Sequence, residues 1–113
     1  FGRLAAQGHE VVLLCGGWPG CAPRTSLDGI EVHRVGTRAT YPFLVRRYWH
    51  RHLASRAFDV LVEDINKVPV YTPTWRAPKL VGLVPHLFGG TAFQELSAPL
   101  AAAVWLAERS LPW

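Results

Sequence analysis

Five consecutive apolar residues, Val11-Val12-Leu13-Leu14-Cys15, stand between Gly8 and a loop rich in glycine and proline that runs from Gly16 to Pro23. A run this short, bounded by turn residues and without polar alternation, reads as a strand buried on both faces. Such strands belong to parallel sheets, whose faces are covered by helices. The rest of the chain must then supply covering helices and further strands.

It carries the signals for both. Leu4, Ala5 and Ala6 predict the last turn of a helix, with Gly8 as its left-handed C-terminal cap. Asp28-Gly29 lies between the segment Arg24 to Leu27 and the alternating run Ile30, Val32, Val35, which predicts a tight hairpin. From Pro42 to Arg56 the period becomes helical, with Leu44, Val45, Tyr48, Trp49, His52 and Leu53 on one face and Arg46, Arg47, His50 and Arg51 opposite. Phe58 to Val62 reads as a further strand ending at Glu63-Asp64-Ile65-Asn66. Pro69, Pro73 and Pro78 punctuate an irregular connection, and Leu80 to Val84 forms a last apolar strand. Thr91 and Gln94 have the spacing of a capping box, so a short helix should start there. Leu100 to Ala107 is apolar on every face. Strands interleaved with helices predict an α/β chain with an open, mostly parallel sheet. Ligands of such sheets sit at the carboxyl ends of the strands, which singles out the loops Cys15 to Gly20, Glu63 to Lys67 and Pro85 to Thr91.

With 113 residues, 50% hydrophobic and 18% charged, the composition is that of one globular domain. There is no methionine, and the chain opens on Phe1 within a helical stretch, so it reads as truncated. Arg3, His9 and Glu10 interrupt any signal peptide, and no stretch reaches the roughly 18 apolar residues of a membrane span. A soluble, cytoplasmic protein is expected. The net charge of +4 suits a phosphate-bearing ligand, an anionic membrane surface or nucleic acid. Nucleic acid ranks last, because no zinc, helix-turn-helix or aromatic-basic ribonucleoprotein signature accompanies the charge. Cys15 and Cys21 fit no common zinc or thioredoxin-like spacing and read as plain thiols. No metal and no cofactor is expected.

Four segments, in order, carry a resemblance. They are Leu4-Ala5-Ala6-Gln7-Gly8-His9-Glu10-Val11, Asp28-Gly29-Ile30-Glu31-Val32-His33-Arg34-Val35, the stretch from Asp59 to Pro69, and Val84-Pro85-His86-Leu87-Phe88-Gly89. Over nearly the whole chain this resembles the N-terminal, acceptor-side domain of family 4 glycosyltransferases of the two-domain GT-B fold. The resemblance implies a partial Rossmann-like domain over 1–113, with the family's first strand missing and the C-terminal donor-binding domain absent. It implies an enzyme of hexosyltransferase type, moving a sugar from a nucleotide-diphosphate donor to a sugar or lipid-linked acceptor. The 113 residues alone are expected to be inactive.

His86 then becomes the expected catalytic residue, through its strand-end position and the family histidine near this place. An imidazole there could donate to a donor phosphate or sugar hydroxyl as charge builds on the leaving group. Glu63, Asp64 and Asn66 are candidates to orient an acceptor hydroxyl, with a local turn cap as the plainer role for Asp64. Gly89, Gly90 and Thr91 could present N–H groups to an anion, or form an ordinary turn. The basic face of the 42–56 helix is either solvated or drawn to anionic lipid, which would give peripheral contact at the inner face of the membrane. Tyr41 and the tryptophans should pack; stacking on sugar would need them exposed. The competing reading is a non-catalytic α/β nucleotide- or phosphate-binding module.

Overall fold

The computed structural model describes residues 1–65, 69–77, 79–85 and 89–110. The chain falls into two compact units, Phe1–Leu53 and Ala54–Trp113.

In the first unit, helix α1 (Gly2–Ala6) ends as its sequence dictates. Gly8 adopts φ +90°, its N–H donates to the Ala5 carbonyl at 3.0 Å, and the His9 N–H donates to Leu4 at 3.1 Å. Strands β1 (Val11–Gly17), β2 (Arg24–Leu27) and β3 (Ile30–Thr37) form a sheet of order β1-β3-β2. β1 runs parallel to β3, and β2 pairs antiparallel with it. The hairpin turn is Asp28-Gly29, both at positive φ (50° and 77°), the conformation that matches the twist of the flanking strands. Register advances two residues along β1, from Cys15 to Gly17, and three along β3, from Arg34 to Thr37. The extra residue is a bulge in β3 at its carboxyl end.

Helix α2 (Tyr41–His52) packs on β1 and β3. It buries Val45, Trp49 and Leu53, a single row at four-residue spacing. Each such side chain contributes about 1.5–3 kcal/mol. The expected apolar face was wider. Leu44 and His52 are exposed, because a three-stranded sheet seats one row and leaves its flanks to water. The helix also stops at His52, short of Arg56. Burial of β1 on both faces is not realised either: Leu13 is 43% exposed. α2 covers one face only, and β1 is an edge strand among the described residues.

In the second unit, β4 (Val60–Asp64) and β5 (Lys79–Leu83) form a parallel pair, from Val60 opposite Lys79 to Asp64 opposite Leu83. The Ile65 N–H extends the ladder to the Leu83 carbonyl at 2.8 Å. Helices α3 (Ala92–Glu95) and α4 (Ala98–Arg109) follow. Their core is Ala92, Ala101 and Val104, packed with Leu96; side chains this small let the two helices approach closely. α4 is apolar all round in sequence yet buries one stripe, leaving Leu106 60% exposed. The helix at Thr91 starts where expected but without a capping box. Thr91 has helical angles (φ −71°, ψ −18°) and makes no side-chain capping bond, whereas a capping side chain needs an extended backbone.

The architecture is therefore α/β with parallel pairing in each unit. The single open sheet expected from the sequence is divided, among the described residues, into two small sheets. No described helix is long and apolar enough to cross a membrane.

Candidate functional site

At the carboxyl end of the parallel pair β1–β3, Gly16, Gly17, Arg38 and Tyr41 line an open pocket of about 260 Å³. The local sequence builds it in three steps. β1 ends in two glycines, and a Cβ on Gly16 would already touch the Thr37 carbonyl and the Tyr41 Cβ, each at 3.5 Å. The chain then turns from β3 into α2 through Gly36 (φ +61°), where a Cβ would stand 2.5 Å from Thr40 Oγ1. Thr40 closes the turn: its hydroxyl accepts from the Thr37 N–H at 2.9 Å, and its carbonyl accepts from Phe43 at 3.1 Å and Leu44 at 3.2 Å. Tyr41 fixes the helix start over β1 by donating its hydroxyl to the Leu14 carbonyl at 2.9 Å.

The electrostatics of this pocket favour an anion. The amino end of α2 faces the same edge, carries no acidic residue in its first turn, and bears the positive end of the helix dipole. Arg38 adds a full charge. Among the described residues no carboxylate or imidazole lines the pocket. Its groups can bind and orient a ligand.

Beside it, the loop after β1 folds back on itself. The Cys21 N–H donates to the Trp18 carbonyl at 3.1 Å, and the Trp18 N–H donates to Cys21 Sγ at 3.3 Å. The Arg34 guanidinium lies 4.9 Å from the Trp18 ring centroid and donates to the Ala22 carbonyl at 2.9 Å. Trp18 remains 59% exposed, while Trp49 and Trp75 are buried. Of these aromatics Trp18 meets the condition for stacking on a sugar.

On α2 a second, shallower groove of about 180 Å³ is lined by Val35, Leu44, Arg47, Tyr48, Arg51 and His52. Behind it His33 is buried, with Nδ1 2.8 Å from the Tyr48 hydroxyl and Nε2 2.6 Å from Glu31 Oε1. The Tyr48 ring also packs on His52, centroids 4.4 Å apart.

The residues singled out from the sequence lie in the second unit. His86 and Asn66 fall outside the described residues. Glu63 is buried on β4, and its carboxylate accepts the Val70 N–H at 2.6 Å, the Thr72 N–H at 3.0 Å and the Thr72 hydroxyl. It anchors the short 3₁₀ turn Thr72–Trp75 to the strand. Asp64, next along, is exposed at the carboxyl end of β4. The Gly89 N–H donates to Glu108 Oε2 at 2.9 Å, so the anion it holds is the protein's own. Gly90 and Thr91 are exposed in the turn Gly89–Thr91. Of these, Glu63 and Asp64 lie at the carboxyl end of β4, opposite Gly82 and Leu83 of β5.

Arg38 and Tyr41 were not anticipated as site residues. The available signal was the segment Thr37-Arg38-Ala39-Thr40-Tyr41-Pro42, in which a proline at the helix start places a cation and a phenol at a strand-to-helix turn. No protein-family profile, no curated protein and no solved structure matches the chain.

Proposed function

We propose that this chain is the acceptor side of a nucleotide-sugar-dependent glycosyltransferase, in which the donor is held by a second domain. The observation that carries the reading is the open, electropositive pocket at the carboxyl end of β1–β3, where open α/β sheets bind ligands. Arg38 and the amino end of α2 suit a phosphate-bearing acceptor, and exposed Trp18 on the adjoining loop suits a pyranose ring. The second unit's own candidate for binding a sugar hydroxyl is Asp64, exposed at the end of β4. His86 is assigned to stabilise negative charge as the sugar departs from its nucleotide, and Asn66, Gly90 and Thr91 are assigned to sugar binding. A sugar or lipid-linked acceptor would approach from the inner membrane face, with the arginines of α2 toward anionic headgroups.

The test is sugar transfer by the protein with its donor domain, using a panel of labelled nucleotide-diphosphate hexoses. His86→Ala should lower kcat about a hundredfold, the usual cost of one such donor. Arg38→Ala should instead raise KM for the acceptor. Absence of transfer with every donor would contradict the proposal.

One observation favours a non-catalytic phosphate-binding module: no described carboxylate or imidazole lines the pocket. Tight binding of a phosphate ligand by the same protein, with no transfer, would establish that reading.

A further inference from the structure

We propose that Cys15 and Cys21 form a redox-active pair that closes into an intramolecular disulfide over Gly17, with a low-molecular-weight disulfide such as oxidised glutathione as the oxidant. This is independent of the glycosyltransferase reading.

The geometry begins with the two faces of β1. A Cβ on Gly16 would meet Tyr41 of α2, whereas one on Gly17 would lie 3.4 Å from the Arg34 Cβ. Arg34 is the strand partner of Cys15. Cys15 and Gly17 therefore share the face turned away from α2. The space that a side chain at Gly17 would fill is taken by Cys21, whose Sγ lies 2.8 Å from the position of that Cβ. The fold-back loop thus returns the second sulfur to a point one same-face step, about 7 Å along the strand, from the first cysteine. A disulfide brings its two sulfurs to about 2 Å, so Cys21 has to move along the strand toward Cys15. The remaining movement falls on the loop after β1, in which Gly20 adopts φ +81°. Both cysteines are free and half-buried.

The surroundings assign the order of events. The Trp18 N–H donates to Cys21 Sγ and holds that sulfur within the fold-back loop. Burial pushes the Cys15 thiol up from its ordinary pKa; the Arg34 charge pulls it down and the neighbouring Cys21 adds to the rise. Cys21 thiolate attacks one sulfur of oxidised glutathione. That S–S bond breaks, and one glutathione thiolate leaves and is protonated. Cys15 thiolate then attacks the Cys21 sulfur of the mixed disulfide, and the second glutathione leaves. Two electrons pass from the cysteine pair to glutathione, and the two thiol protons end on the departing thiolates.

The test equilibrates the 113-residue chain in buffers of graded reduced-to-oxidised glutathione ratio, followed by acid quench, alkylation, intact-mass measurement and peptide mapping. The wild type should lose both alkylatable thiols together, through an internal Cys15–Cys21 bond. Cys15→Ser should stall as a glutathione adduct on Cys21, and Cys21→Ser should be modified slowly at Cys15. The internal bond should form at a more reducing ratio in buffer than in urea, because the fold brings the sulfurs together. Gly17→Ala, whose methyl displaces Cys21, should remove that advantage while circular dichroism reports a folded chain. Two results would overturn the proposal: thiols that stay alkylatable, or end as separate adducts, at the most oxidising ratio; or a bond that forms equally readily in urea.

Discussion

The hydroxyl of Tyr48 on α2 lies 2.8 Å from Nδ1 of His33 on β3, and this bond fastens the helix to the central strand of its sheet. His33 is 2% exposed, so its ring nitrogens have little water to turn to. Glu31 holds the other nitrogen at 2.6 Å, and Arg24 Nε donates to the same Tyr48 hydroxyl at 3.4 Å. Tyr48→Phe leaves a buried nitrogen without its partner, which costs about 1–3 kcal/mol. His33→Ala adds a cavity to that loss and should cost more. His52→Ala, at an exposed position, should stay within about 0.5 kcal/mol of wild type. Urea denaturation of the three variants checks this order; equal stability of Tyr48→Phe and wild type would contradict it.

Glu63 and Asp64 are adjacent carboxylates that the structure gives opposite surroundings. Glu63→Gln replaces one of the two accepting oxygens with an N–H₂ group, which then faces either the Val70 or the Thr72 amide. A loss of about 2–3 kcal/mol is expected, together with faster hydrogen exchange at those two amides. Asp64→Asn should leave both stability and exchange unchanged. If the two substitutions have the same effect, Glu63 is not the anchor of the Thr72–Trp75 turn.

Much of the fold was legible in short-range chemistry. Gly8 as a helix cap, Asp28-Gly29 as a hairpin turn, and the helical period after Tyr41 each depend on a few neighbouring residues, and each appears where the sequence puts it. Parallel pairing was legible in kind, since the unalternating apolar runs Val11 to Cys15 and Leu80 to Val84 suit parallel sheets. What the sequence hid is non-local. It does not say that the strands divide into two sheets, or that β1 takes an edge. A glutamate at a strand end looks the same whether it faces a ligand or, like Glu63, an incoming turn seven to nine residues away. Gly17 reads as a loop glycine until Cys21 is found in the place of its side chain.

Cys15 gives a pH dependence with a definite sign. Burial raises its pKa in the fold, so above the ordinary thiol range the unfolded chain gives up this proton before the folded chain does. The unfolded state then binds fewer protons, and stability falls as pH rises. The contribution is fully present below the ordinary thiol pKa and is lost as pH climbs through the raised value. Under reducing conditions, melting curves from neutral to alkaline pH should show a decline that Cys15→Ser reduces. An identical decline in that variant would contradict the assignment.

The arginines on α2 offer a separate test of the membrane proposal. Arg47 and Arg51 line the groove beside Tyr48 and His52, and Arg46 adjoins them on an exposed part of the helix. Replacing Arg46, Arg47 and Arg51 with glutamine should weaken sedimentation with vesicles containing anionic phosphatidylserine. The difference should be largest at low salt and vanish at high salt. Unchanged vesicle binding at low salt would leave this face simply solvated.

The proposed acceptor site at Gly16, Gly17, Arg38 and Tyr41 is tested most directly by an amide chemical-shift titration of the isotope-labelled chain with a hexose phosphate, beside inorganic phosphate and the unphosphorylated hexose. The Gly16 and Gly17 amides should shift in a saturable way, more strongly with hexose phosphate than with either fragment, and Arg38→Ala should weaken that binding about tenfold or more, the scale of one charge-assisted contact. Shifts confined to other parts of the chain, or an Arg38→Ala titration identical to wild type, would contradict the assignment of this pocket to a sugar acceptor.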